Sequence, residues 1–297
     1  MAFEDLDLME KAERIRDKAL ELLYAEAMSG HGVDEQFRRL AGIPAKLRPF
    51  TRLPNPEHFN GPIEQLEMVA KTLSTGSSGY MANPWLNLSD VGNDIASWNG
   101  PAARAFRTNF VAPFPAIAHN QFLLVCALKS ALEAEKALWE AARKDIASIT
   151  SAAYRALERM DASDDMSVEY FLKVVAAAAA LSAIPFAGGL AVMRVAAIGA
   201  SAQFGGVIAS RIPPKTDRIR GANVLEFVES LERAIFFATD AIIETEDRIR
   251  TTVTELHKEV LRHVAKPSMG RNWFCARRPA LADSSKQTIR RDMGYTE

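Results

Sequence analysis

Residues 224–264 read VLEFVESLERAIFFATDAIIETEDRIRTTVTELHKEVLRHV. Val224, Phe227, Val228, Leu231, Ile235, Ala238, Ile242, Ile249, Val253, Leu256 and Val260 recur at threes and fours along this stretch. That spacing puts them on one stripe of an α-helix, and a stripe of this length is the seam of a helical bundle or coiled coil. One helix is expected from about Asp217, just after Pro213-Pro214, to Val264. The fold class follows from this segment and from a second one of equal length. From Pro115 to Met160 there is no breaker, and a continuous helix there would be about 70 Å long at 1.5 Å per residue.

The rest of the chain agrees with an all-α, elongated helical bundle with long antiparallel helices. No stretch sustains the period-2 alternation of a half-buried strand. A first helix is expected from Glu4 to Ser29, with Leu8, Ala12, Ile15, Ala19, Leu22 and Leu23 on one face, and a short one from Asp34 to Ala41. Pro44, Pro49, Pro54, Pro56 and Pro62 follow, a spacing that predicts a non-helical connector. Pro62 opens another helix that ends near Ser74, and a short helix is expected over Ser89–Ser97. The next helix starts at Pro101 and bends at Pro113 and Pro115. The expected organisation is a helix and connector (1–61), a helical hairpin (62–161), an apolar hairpin with a long amphipathic helix (162–266) and a flexible basic tail (267–297).

Composition excludes several function classes. The 297 residues carry 36 Lys+Arg against 37 Asp+Glu, so the chain lacks the clustered positive charge on which nucleic-acid affinity rests, and no nucleic-acid partner is expected. The charge is uneven: Arg262–Glu297 holds eight Lys/Arg and three Asp/Glu. In that tail Arg271, Arg277, Arg278, Lys286, Arg290 and Arg291 accompany Trp273 and Phe274, a composition suited either to a flexible solubilising end or to contact with acidic lipid, nucleic acid or a partner. His31, His58, His119, His257 and His263 show no metal-ligand spacing, and Cys126 and Cys275 form no disulfide framework. No nucleophile elbow, phosphate loop or dinucleotide fingerprint is present. Neither a metal, a cofactor nor enzymatic activity is therefore expected. The opening Met-Ala-Phe-Glu-Asp-Leu-Asp has no basic n-region before an apolar run, so no Sec-type signal is expected.

Two constellations remain. Trp98-Asn99-Gly100-Pro101 is a strong turn between two helices, Phe106 and Phe110 follow one and two turns later, and Tyr154-Arg-Ala-Leu-Glu158 lies near the end of the following helix. Residues 62–160 thereby resemble the WXG-motif hairpins exported by type VII (ESX) secretion systems. In that family the interhelical turn is Trp-x-Gly and the second helix ends with a Tyr-x-x-x-Asp/Glu secretion signal. The resemblance covers about a third of the chain; larger ESX effectors carry such hairpins within extended bundles. It implies a substrate or effector that is cytoplasmic before export and then secreted, with Trp98, Gly100, Tyr154 and Glu158 read by the export machinery. Phe106 and Phe110 would support the hairpin core. Homo- or hetero-oligomers through helix packing are the further implication of seams this long.

The second constellation is apolar. Between Lys173 and Ser210 the only charge is Arg194, and Pro185 and Gly188-Gly189 interrupt the run. Two arms, Val174–Ile184 and Leu190–Ser210, are expected, marked by Val174, Leu181, Ile184, Phe186, Leu190, Val195 and Ile198. Buried in a bundle, their small residues allow close approach of neighbours. The alternative resembles the concealed apolar tongue of α-helical pore-forming toxins, exposed on contact with a membrane. Arg194 argues for burial, because a charge in lipid is costly. An intracellular helical scaffold is the third reading.

Overall fold

The computed structural model describes residues 5–27, 34–73, 100–161, 168–172, 182–184, 195–197, 215–219, 223–265 and 274. Helix dominates them, and the fold is all-α. The helices are α1 (Asp5–Ala27), α2 (Asp34–Ala41), α3 (Ile43–Leu47), α4 (Asn60–Leu73), α5 (Pro101–Phe106), α6 (Phe114–Asp161) and α7 (Val224–Ala265). Four short strands, β1 (Val168–Leu172), β2 (Ser182–Ile184), β3 (Val195–Ala197) and β4 (Lys215–Ile219), form two antiparallel pairs, β1 with β4 and β2 with β3. The expected helix over Ser89–Ser97, and Trp98 itself, lie outside the described residues.

Three expectations are corrected. The proline-rich connector is not free of helix: α3 and two 3-10 turns, Arg48–Arg52 and Pro56–Phe59, occupy it. Each begins with a proline in its first two positions, where the missing N–H costs nothing and the fixed φ favours the turn. The last helix starts at Val224 rather than Asp217. Asn223 caps it, its Oδ1 accepting from the Glu226 N–H at 3.0 Å, while Lys215–Ile219 is drawn into the β1 ladder. Strand pairing also occurs inside the expected apolar arms, where β2 pairs with β3.

Chain contacts divide the molecule into two compact units. The first comprises Met1–Asn60, Glu133–Ala180 and Ser201–Arg250. Its core is built from Ala12, Ile15, Ala19 and Leu23 of α1, Leu40, Ile43 and Leu47 of α2 and α3, the later turns of α6 and the earlier turns of α7. α1 packs on both α2 and α3. Full burial of such side chains stabilises by about 1.5–3 kcal/mol each. In this unit α6 buries Ala134, Leu138, Ala142, Ile146, Ile149, Ala153 and Leu157, among others, and α7 buries Phe227, Leu231, Ala234 and Ala238. Arg143 of α6 straps the connector by donating to the Leu53 carbonyl at 2.7 Å. In the β1–β4 ladder Val168 faces Ile219 and Leu172 faces Lys215. Ile219 is buried, and Ser230 of α7 donates to the Arg218 carbonyl at 3.3 Å.

The second unit comprises Gly61–Leu132, Leu181–Ala200 and Thr251–Glu297. Its apolar cluster joins Leu123 and Ala127 of α6 to Leu256 of α7 and to Phe274, with Phe122, Leu124, Cys126 and Val260 packed around it. Cys126 is half-buried there, as its apolar context predicts. Lys71 and Lys129 both pair with Glu67 of α4, at 2.8 and 3.4 Å. The Lys71 hydrogen bond, then the Lys129 charge, hold that carboxyl below its usual range.

Candidate functional site

The Trp-x-Gly turn is described from Gly100 onward. Gly100 has φ 105° and ψ 171°, a backbone region that L side chains rarely adopt, so only glycine fits without strain. It caps α5: the Arg104 N–H donates to the Gly100 carbonyl at 3.1 Å, and Pro101 occupies the first turn. The chain then widens into a π-helical turn over Arg107–Val111, where the Ala112 N–H reaches back five residues to the Arg107 carbonyl at 2.9 Å. Pro113 has no N–H to continue an α ladder, which explains the break before α6 restarts. Phe106 and Phe110, both half-buried, stack with ring centroids 5.1 Å apart, and Phe110 and Phe114 follow at 5.7 Å. Phe106 and Phe110, expected to support the hairpin, thus form with Phe114 a ladder at i, i+4, i+8 across the widened turn.

Tyr154 and Glu158 sit in the last three turns of α6. Ala152, Ala153, Ala156 and Leu157 point inward and are buried, whereas Tyr154, Arg155 and Glu158 are exposed. Tyr154 keeps 38% of its surface accessible, a high value for an aromatic on a helix whose other side is core. Separation by four residues places the phenol and the carboxylate on one face, one turn apart. The end of the helix is fixed: Lys18 of α1 bonds Asp161 at 2.8 Å and Glu21 at 3.1 Å. The bond to Asp161, then that to Glu21, raise the Lys18 pKa. A cation at this position also complements the negative end of the α6 dipole.

The apolar residues singled out from the sequence fall largely outside the described part. Val174, Leu181, Phe186, Leu190 and Ile198 are not described; Ile184 and Val195 are, and they face each other across the β2–β3 ladder. One helical stretch, Ala103–Asp161, is long and apolar enough by composition to cross a membrane, a test that the central helix of a bundle also passes. Among the described residues there is no group of three or more His, Cys, Asp or Glu side chains placed to hold a metal.

Sequence reasoning missed two contacts near these elements. Phe274, in the polar basic tail, is buried, and its carbonyl accepts from Gln121 Nε2 at 2.7 Å. An aromatic pair in an aperiodic segment does not say which ring packs against the helices. The second is a charged clasp in the first unit: Arg39 bonds Glu229 and Glu232 of α7, and Lys46 also bonds Glu232. Burial pushes the Glu232 carboxyl up, but the Arg39 and Lys46 hydrogen bonds overcome it and hold the group below its ordinary range.

No protein-family model, no curated protein and no solved structure matches this chain.

Proposed function

We propose that the chain is a non-enzymatic substrate or effector of a type VII, ESX-like secretion system that acts through helix-to-helix association. The observation that carries the reading is the outward projection of Tyr154 and Glu158 from one face of α6, next to buried Ala153 and Leu157. A recognition signal has to be accessible while the protein is folded, and this pair is. Gly100 adds support, because its positive φ is the backbone state that the glycine of a Trp-x-Gly turn supplies. Exposed Phe236 and Ile243, seven residues apart on α7, offer apolar contacts for a partner helix.

The test is expression with the native export machinery and assay of the culture medium. Wild type and Arg155→Ala, an exposed neighbour on the same turn, should appear outside. Tyr154→Ala and Glu158→Ala should stay in the cytosol with unchanged helical circular dichroism. Cytosolic retention of every form, or export that ignores Tyr154, overturns the reading.

A further inference from the structure

We propose that the first-unit part of α7 pairs antiparallel with the same part of α7 in a second copy of this chain, with Phe236 at the centre and Arg233 of each copy against Asp240 of the other. Arg233, Phe236, Asp240 and Ile243 succeed one another at threes and fours, so they share one stripe of the helix. All four are exposed, Phe236 to 63% and Ile243 to 54%. Leu231, Ala234, Ala238 and Ile242, on the other side, are buried. The Phe236 ring is steadied by Phe237, which it meets edge-on with 6.0 Å between centroids. An exposed aromatic held in this way loses little freedom on binding, which suits it to anchor a contact.

Charge chooses the occupant. The neighbouring ions on this part of α7 are paired within the chain: Glu229 with Arg39, Glu244 with Arg248 and Asp247 with Arg250. Among the described residues Arg233 and Asp240 make no ion pair; Arg233 Nε donates to the Glu229 carbonyl one turn back, at 3.3 Å. About 10 Å of helix keeps the two from each other. The midpoint between them falls beside Phe236. Two copies set antiparallel about that point bring each Arg233 level with the other copy's Asp240 and lay the two Phe236 rings between those ion pairs. Such a contact uses the same patch on both copies and closes as a dimer. A parallel arrangement would set Arg233 on Arg233 and Asp240 on Asp240, and like charges oppose it. Further out, acids come level with acids, Glu229 with Glu244 and Glu226 with Asp247, but Glu229, Glu244 and Asp247 each already carry an arginine of their own chain. The exposed ion pairs fix register and orientation, while the apolar centre supplies the affinity. The inference gives a partner to the helix association proposed above and rests on that part of the reading, not on export.

The experiment is sedimentation equilibrium of the purified full chain, with helical circular dichroism confirming the fold of every variant. Wild type should pass from monomer to dimer as its concentration rises, and Phe236→Ala should weaken that association about tenfold or more. Arg233→Asp and Asp240→Arg should each weaken it, because each sets like charges opposite one another. Mixed in equal amounts, these two single variants should form a heterodimer of near wild-type strength, and the double variant should recover by itself. Orientation is read by cross-linking with Cys126→Ala and Cys275→Ala in place. A short bismaleimide should join Glu226→Cys chains to Asp247→Cys chains when the two are mixed, and should leave each unlinked alone. Wild type that stays monomeric at every concentration leaves this face to some other protein and overturns the proposal. A dimer indifferent to Phe236→Ala, a mixture no stronger than its components, or cross-linking of either cysteine variant alone overturns it as well. None of these arms reads export, so failure here and failure of the Tyr154 test are separate results.

Discussion

Helix α6 has one sequence character and two environments. Over residues 133–161 it buries side chains at nearly every second position, including neighbouring pairs such as Ala141 with Ala142 and Ala152 with Ala153. Over residues 114–132 the buried positions thin to Ile117, Ala118, Asn120, Leu123, Ala127 and Ser130. α7 changes in the same way: eleven residues are buried between Val224 and Ile249, and only Leu256 and His263 beyond them. The difference comes from what surrounds each portion. In the first unit α1–α3 supply an added apolar layer and a clasp of Arg39, Lys46, Glu229 and Glu232. The described part of the second unit holds a smaller cluster of Leu123, Ala127, Leu256 and Phe274, the last also tied to Gln121. Periodicity makes a helix, but the number of sides on which neighbours cover it decides how much that helix contributes to stability.

The sharpest way to break this contrast is truncation of matched core residues. Phe227→Ala, in the first unit, should cost about 3–5 kcal/mol, because Phe227 is fully buried and a rigid layered core closes a cavity poorly. Leu123→Ala, at 9% exposure in the smaller cluster, should fall near the lower end of the Leu→Ala range, about 2 kcal/mol. Denaturant unfolding measures both, and hydrogen exchange should show stronger amide protection at 133–161 than at 114–132. Equal costs would mean that the two environments share one stability.

The clasp predicts the next effect. Glu232→Gln should lower stability by about 1.5–3 kcal/mol at neutral pH, the range for hydrogen bonds to charged groups. The folded carboxyl is held below its ordinary range, so its contribution is complete above the unfolded carboxylate pKa and disappears as pH falls through the lower folded value. Wild type and Glu232→Gln should therefore converge in acid. A cost that persists unchanged in acid would assign the effect to packing alone.

The helical part of this architecture was legible because threes and fours survive any environment. Of the stripe on α7, only Val253 and Val260 escape full burial. The connector was misread because a proline forbids the interior of a helix but suits its first turn, and Pro44, Pro49 and Pro56 each open a separate turn. The β1–β4 ladder was invisible for a different reason. Lys-Thr-Asp-Arg-Ile, residues 215–219, has no apolar alternation, and its partner lies over forty positions away along the chain. Nonlocal pairing leaves little trace in a local pattern. The Tyr154–Glu158 face was legible, since two residues one turn apart share a side whatever the rest of the fold does.

The smallest predicted effect tests electrostatics within the first unit alone, by setting Glu135 against Glu232. Glu135 is partly buried on α6 and accepts from Trp139 Nε1 at 3.1 Å. Its carboxyl is pushed up, first by burial and then by repulsion from Glu246, with the Trp139 bond only partly offsetting them. The sign is opposite to that of Glu232. Between the ordinary carboxylate pKa and the raised folded value, the native state holds a proton that the unfolded chain has released, so stability falls as pH rises through that window. Glu135→Gln keeps an oxygen for Trp139 and removes the charge, so it should stabilise at neutral pH by about 0.5 kcal/mol once solvent screening is allowed for. The gain should vanish in acid, where wild type is already neutral at this position. Glu246→Gln should shift stability in the same direction by relieving the same repulsion. Loss of stability in Glu135→Gln at neutral pH would show instead that the carboxylate is held by a favourable partner, and that both acids belong to one clasping network.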